Sequence, residues 1–346
     1  MKIAELPTPA IVVDGRRLES NLAKMARALP GGRLRPHVKA HKSTAIAKRQ
    51  QDHGHELFCA ATIREIEGMA RAGLGADLLL ANEVLDATRL GEVVRGGARV
   101  TVAVDSRETI DAARRGGVGE VLIDVNVGLP RCGCRPEDAG ELAEEARRVG
   151  LNVRGVMGYE GHVVGNADRA DRERGCAVSM ERLLAAHADV GGELISAGGT
   201  GTYDCNLWAT EIQAGSYALM DTAYAKLGMP FEQAFFLLSS VISVSEKFAV
   251  ADAGLKSLGM DHGNPDIPGA RVLFCSDEHV TFAPGRAEGD DLPSPIDWVS
   301  PATIRVGDRV RLVPAHVDPT MAYHERIYVV DDDRVVDQWE IDLRGW

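Results

Sequence analysis

As far as Met229-Pro230, apolar and polar positions follow one repeating unit: a short apolar run, a polar or glycine-bearing loop, then apolar residues at helical spacing. The short runs predict strands at Arg33–Ala40, Glu56–Ala60, Asp77–Asn82, Arg99–Asp105, Glu120–Asn126, Val153–Tyr159, Leu194–Ala197 and Glu211–Ala214. Between them, helical patterns cover Glu83–Val94, Arg107–Arg115, Pro136–Val149 and Arg169–Val190. Thr62-Ile63-Arg64-Glu65 is a capping box opening another helix, and Ser43 is a good N-cap ahead of Thr44–Lys48. Eight strands alternating with helices over about 200 residues is the arithmetic of a (β/α)8 TIM barrel. A doubly wound open sheet is the competitor, but no G-x-G-x-x-G follows the first strand.

Two further segments lie outside the repeat. Before it, Ala10–Asp14 reads as a strand and Leu18–Leu29 as an amphipathic helix. After it the texture changes: Phe235–Val244 and Lys247–Val250 are rich in β-branched residues, and Arg309–Val313 alternates cleanly. Arg326–Val330 and Arg334–Ile341 flank Asp331-Asp332-Asp333 like a hairpin. The expected division is a barrel over 15–234, with 1–14 and 235–346 forming a C-terminal β domain.

Composition narrows the classes. The chain has 346 residues, 45% hydrophobic and 26% charged, enough for a sizeable core. A net charge of −12 without a basic run argues against nucleic acid and anionic membrane as partners. Met1–Pro9 carries no apolar stretch of signal-peptide length, and no segment could span a bilayer, so a cytoplasmic protein is expected. Six cysteines without framework spacing read as reduced packing thiols, Cys132-Gly133-Cys134 included. His53, His55 and His187 read as solvated.

The candidate chemistry collects at the C-terminal ends of the strands, where barrel enzymes build their sites. Lys39, in Pro36-His37-Val38-Lys39-Ala40-His41-Lys42, ends the first strand; a lysine buried there could carry a carbonyl as a Schiff base. Arg131 follows the fifth strand, and Tyr159 and His162 close the sixth. Gly198-Gly199-Thr200-Gly201-Thr202 closes the seventh, and Gln213-Ala214-Gly215-Ser216-Tyr217 the eighth. Glycines with hydroxyls at those two ends, beside a helix start, are what a phosphate needs: N–H groups converge and no side chain blocks approach. A phosphate site and a strand-one lysine together point to pyridoxal 5′-phosphate.

These motifs resemble the alanine-racemase-type (fold type III) pyridoxal-phosphate enzymes, and most closely their D-threonine aldolase / D-serine dehydratase branch. The likeness runs nearly end to end. P-H-V-K-A-H-K at 36–42 resembles the cofactor-lysine motif, which implies Lys39 as the Schiff-base lysine. D-V-N-V-G-L-P-R-C-G at 124–133 resembles the segment with an active-site arginine, here Arg131. M-G-Y-E-G-H at 157–162 implies Tyr159 near the pyridine ring with His162 close by. G-G-T-G-T and Q-A-G-S-Y match the phosphate-holding turns, implying Gly199, Thr200, Gly201, Thr202, Gly215, Ser216 and Tyr217 as cofactor contacts. The racemases carry an arginine facing the pyridine nitrogen where this chain has Gln213; Arg131 takes that contact or holds the substrate carboxylate, and both stay open. Asp252–Ser257 and Ser276–His279 resemble segments bordering the site.

In the β domain, His316 and Asp318 of Pro314-Ala315-His316-Val317-Asp318-Pro319-Thr320 are two apart, so an extended segment would project both to one face as ligands for a divalent ion. The aldolase branch has H-x-D-P-T as its metal site, whereas dehydratase relatives tend to have H-x-C for zinc. Asp318 therefore implies Mn²⁺ or Mg²⁺ over Zn²⁺, and aldol cleavage of a D-3-hydroxy-amino acid such as D-threonine to glycine and acetaldehyde. The alternatives are dehydration of D-serine or 3-hydroxyaspartate, a 3-hydroxyaspartate aldolase, or a non-catalytic barrel that binds pyridoxal phosphate. The resemblance further implies a homodimer, with each site formed where one subunit's barrel meets another's β domain.

Overall fold

Seven of the expected barrel strands form ladders, while the first is too irregular to be a strand. In the computed structural model, which describes residues 1–284 and 304–346, β1 (Ala10–Asp14) and α1 (Gly15–Ala28) precede the repeat. The repeat then runs α2 (Thr44–Asp52), β2 (Leu57–Ala60), α3 (Ile63–Arg71), β3 (Asp77–Leu80), α4 (Thr88–Arg95), β4 (Val100–Val104), α5 (Arg107–Gly116) and β5 (Glu120–Asp124). It continues through α6 (Ala139–Arg148), β6 (Asn152–Gly158), α7 (Arg169–Val190), β7 (Leu194–Ala197) and β8 (Glu211–Ile212). Strands β2 to β8 pair in parallel in chain order. The ring closes through residues 34–37: Leu34 bridges Ile212 on one side and His37 bridges Cys59 on the other.

The expected strand Arg33–Ala40 is thus a correction. Pro36 has no N–H for a ladder. Only single bonds remain: Arg35 N and His37 N donate to Ile212 O and Ala214 O, and Pro36 O accepts from Cys59 N at 2.9 Å. Val38–Ala40 then tightens into a 3₁₀ turn. The helix expected from Glu83 also starts late, at Thr88, because the Asp86 carboxylate takes the Thr88 N–H at 2.9 Å in a local turn. Ser43 does sit at the N-cap of α2, yet its side chain makes no cap; Asp342 accepts instead from Thr44 N and Oγ1. The Thr62/Glu65 capping box of α3 forms as read, and α7 keeps its expected ends, capped by Asp168.

The chain divides into two compact units, Leu22–Tyr217 with Asp342–Trp346, which holds the barrel, and Met1–Asn21 with Ala218–Ile341. The second unit contains α8 (Thr222–Ala225), β9 (Phe235–Val244), β10 (Ala249–Ala251), β11 (Ala270–Cys275), β12 (Val280–Pro284), β13 (Arg309–Leu312), α9 (Val317–Tyr323), β14 (Arg326–Asp331) and β15 (Arg334–Glu340). Its sheet runs β11-β12-β10-β9-β1-β14-β15, with β13 also on β9; β1 is parallel to β14. Ile3, Leu6, Val12, Phe236, Leu238 and Val330 make one buried cluster there. The barrel interior packs Cys59, Leu79, Ala103, Leu122 and Met157 in another. No helix among the described residues is long and apolar enough to cross a membrane.

Candidate active site and metal centre

The mouth of the barrel gathers most of the residues singled out by sequence. Lys39 lies half-buried in the 3₁₀ turn that follows the closing segment. Its neighbour Lys42, at positive φ, is committed to an ion pair with Glu65 of the α3 capping box. Beside Lys39, burial pushes the Cys59 thiol well up, with the charges of Arg35 and Lys39 pulling it back. Cys59 donates to Gln213 Oε1 at 3.2 Å, and Gln213 Nε2 donates to Ser196 Oγ at 2.8 Å. Both ends of the Gln213 amide are therefore held inside the barrel. A Cβ on Gly215 would lie 2.5 Å from His37 O and 3.0 Å from Ala40 Cβ, so only glycine lets the eighth-strand turn approach the Lys39 turn this closely.

Across the mouth, the Arg131 guanidinium stands 5.3 Å above the centre of the Tyr159 ring. A Cβ on Gly199 would meet Tyr159 Cε2 at 3.4 Å, which sets the seventh-strand turn against the same ring. Thr200 Oγ1 accepts from Tyr217 N at 3.1 Å and ties the two glycine turns together, with Ser216 opening the short 3₁₀ helix Ser216–Ala218. Gly201 packs on the Val164 backbone, where a Cβ would come within 1.8 Å of Val164 O. His162 is exposed and lies against Gly128 in the loop after β5.

Two residues expected at the phosphate have hydroxyls engaged inside the protein. Tyr217 is fully buried and its hydroxyl accepts from Gln50 Nε2 at 3.0 Å. The Thr202 hydroxyl donates to Glu160 at 2.9 Å. Sequence reasoning passed over Glu160, a fully buried carboxylate that also accepts from Gly198 N and Asn206 Nδ2, each at 3.0 Å. It organises the turn from below. In Glu160→Gln an amide N–H replaces one acceptor, leaving about 1–3 kcal/mol of unmet hydrogen bonding. The expected result is a cofactor Kd raised by about 5- to 100-fold, read by fluorescence titration; an unchanged Kd would remove Glu160 from this role.

The sequence reading also missed Asp124, at the end of β5. Burial, and then the adjacent Glu83 carboxylate, push its carboxyl well above the usual range. Further corrections concern residues left as unremarkable. His55 is buried, with Nδ1 3.1 Å from Gly31 O, because the turn after α2 folds inward. Cys132 is exposed, and all six thiols are free. Asp252, expected at the site's border, is spent on Thr8, Ser239 and Ser240.

These residues suit pyridoxal phosphate: an amine at the mouth, an aromatic face, and two glycine turns linked through Thr200. Lys39, Tyr159, Gly199, Thr200, Gly215 and Ser216 would hold it.

The other unit carries the H-x-D motif, though not on the extended segment expected. His316 is extended (φ −143°, ψ 122°) and forms the N-cap of α9, while Asp318 lies in that helix's first turn, with Pro319 behind it. The helix start still brings them together, His316 Nε2 lying 3.5 Å from Asp318 Oδ2. Two ligands about 2.1 Å from one octahedral ion and adjacent around it lie about 3 Å apart, so the pair could hold a divalent cation. The buried Asp221 carboxylate accepts from Val317 N, between His316 and Asp318, and from Tyr224 N, each at 2.9 Å. Thr320 Oγ1 donates to His316 O at 2.7 Å. Burial lowers the His316 pKa, but the carboxylates of Asp318 and Asp261 outweigh it and raise the pKa above the ordinary value.

Comparison with known proteins identifies the family. Residues 13–222 match the family described as alanine racemase, N-terminal domain, and residues 234–330 match a putative serine dehydratase domain. A 3-hydroxy-D-aspartate aldolase of Paracoccus denitrificans is 32% identical, the alignment covering 100% of this chain and 94% of the relative. A D-threonine aldolase of Arthrobacter sp is 34% identical over 99% of this chain and 94% of the relative. The crystal structure of D-threonine aldolase from Filomicrobium marinum superposes with a TM-score of 0.88 at 32% identity, covering 100% of this chain and 97% of that one. The chain belongs to the alanine-racemase-type, fold type III family, in its D-threonine aldolase / D-serine dehydratase branch, a family that implies pyridoxal phosphate as cofactor.

Proposed function

We propose that this enzyme is a metal-assisted pyridoxal-phosphate lyase that breaks the Cα–Cβ bond of D-3-hydroxy-amino acids, D-threonine to glycine and acetaldehyde being the simplest case. The observation that carries the reading is a carboxylate, Asp318, facing His316 Nε2 in a barrel-plus-sheet chain whose full-length relatives are named aldolases. When bound, pyridoxal phosphate supplies the electron sink for the charge left at Cα. Lys39 would offer its amine to the cofactor's aldehyde. Arg131, steadied on the Tyr159 ring, offers a cation to the substrate carboxylate. His316 and Asp318 would hold the divalent ion, whose charge lowers the pKa of a bound hydroxyl. The free thiols support a cytoplasmic location, and the family resemblance supports a homodimer.

The test uses purified protein with pyridoxal phosphate and Mn²⁺. D-Threonine should give glycine plus acetaldehyde, and 3-hydroxy-D-aspartate serves as the second substrate, giving glycine plus glyoxylate. A chelator should abolish release, and Asp318→Ala should lower kcat about 10³-fold, several kcal/mol of metal-derived stabilisation. Release of 2-oxobutyrate and ammonia from D-threonine would assign the protein to dehydration instead.

A further inference from the structure

We infer that Asp261 is a positioning residue for His316, holding the imidazole in the tautomer and orientation that aim Nε2 at the ion. The inference rests on His316 and Asp318 being the metal ligands, as proposed above. Asp261 Oδ2 lies 2.7 Å from His316 Nδ1, a direct hydrogen bond, while Asp318 faces Nε2. The two ring nitrogens thus have separate duties. With Nδ1–H donating to Asp261, the lone pair for a cation is on Nε2. A carboxylate on the far nitrogen also raises the basicity of the near one, as in other carboxylate–histidine–metal arrangements.

The surroundings fix this geometry twice more. The His262 ring stacks on the His316 ring with centroids 4.0 Å apart and planes 12° from parallel, which blocks one face against rotation. The backbone that carries Asp261 is clamped to the H-x-D turn: Gly259 forms an antiparallel bridge with His316, and Gly259 N donates to Thr320 Oγ1 at 2.8 Å. A Cβ on Gly259 would come within 2.3 Å of Pro319 Cγ, so the approach requires glycine.

One ligand atom from each of Asp261, His262 and His316 lies within 4.8 Å of the others, so a three-ligand ion site is the competing arrangement. Two features count against it. The 2.7 Å between Asp261 and Nδ1 is a hydrogen-bond distance, shorter than the about 3 Å between adjacent ligands of one ion. Stacked, nearly parallel imidazoles also keep their in-plane lone pairs in separate, nearly parallel planes, which do not meet at one nearby ion. His262 is therefore a wall for His316 and not its co-ligand.

The test is Mn²⁺ binding by calorimetry and electron paramagnetic resonance on the full chain, without substrate, for the wild type, Asp261→Ala, Asp261→Asn, His262→Phe and Asp318→Ala. We expect Asp261→Ala to raise the Kd about 10- to 100-fold. Asp261→Asn, whose amide oxygen still accepts from Nδ1–H, should recover part of that loss, and His262→Phe should bind close to the wild type. Nitrogen-15 NMR of the Mg²⁺-loaded wild type should find the proton of His316 on Nδ1, a readout that needs no variant to fold. A His316 proton on Nε2, an unchanged Kd in Asp261→Ala, or a loss in His262→Phe equal to that in Asp261→Ala would each overturn the inference. Unchanged binding in Asp318→Ala would instead remove the metal-ligand reading on which it stands.

Discussion

Lys39→Ala is expected to lower turnover of D-threonine by about 10³-fold or more, the upper range for loss of a group that acts on the reacting centre. Two properties of the structure make the loss hard to rescue. Lys39 sits at the C-terminal mouth of the barrel, on the turn that Gly215 approaches and within the electrostatic reach of Cys59. Lys42, the nearest substitute in sequence, is held at positive φ with its amine on Glu65. Borohydride fixation of the cofactor, located by peptide mass, should label residue 39 in the wild type and no residue of the 36–42 segment in the variant. Labelled Lys42 with activity retained would refute the assignment.

Arg35→Met is expected to cost about 3–5 kcal/mol of stability, because removing one partner leaves buried opposite charges uncompensated. The Arg35 side chain is buried at the closure of the barrel, where its Nε donates to Glu211 at 2.8 Å and its Nη1 to Asp77 at 3.0 Å. Asp77 also receives Arg154 at 3.0 Å, but Glu211 Oε2 already lacks a hydrogen-bond partner, so the variant has no spare donor there. For a unit of this size the expected fall in Tm is about 6–20 °C. The pH dependence has a definite sign. Burial raises the Asp77 pKa, but Arg35 and Arg154 outweigh it and hold it below the ordinary value. A carboxylate depressed in the folded state stabilises above its unfolded pKa, and that stability is lost as pH falls through the folded pKa. The wild type should therefore lose this stability only in strong acid, and the variant should show a smaller acid-dependent fraction. Paired melts at neutral and acid pH measure both; a fall of less than 1 kcal/mol would mean the network is dispensable. The same charges reach the site, since Glu211 accepts from Ser196 at 2.6 Å and Ser196 accepts from Gln213.

Much of the barrel could be read from local pattern. The alternation of strand and helix periods, the Thr62/Glu65 box and both ends of α7 are recorded in neighbouring residues, so they needed no knowledge of partners. The lysine, arginine, tyrosine and glycine turns were legible for a related reason: chain order places strand ends at one face of a barrel, whatever packs around them. The proximity of His316 and Asp318 was legible as well, although the extended segment expected there is a helix start, which juxtaposes residues two apart as an extended segment can.

What the sequence alone determined, then, was the repeat and the residue types at its turns, since these follow from periodicity and covalent spacing. Only the tertiary structure decided which side chains serve them. Asp261 reaches His316, Asp342 replaces Ser43 as the cap of α2, and Glu160 turns inward to take Thr202 as well as Asn206. Each is a polar contact with a residue that local periodicity does not specify. A buried carboxylate and a solvated one read alike in a chain, and they separate only when the fold removes water and dictates which donors remain.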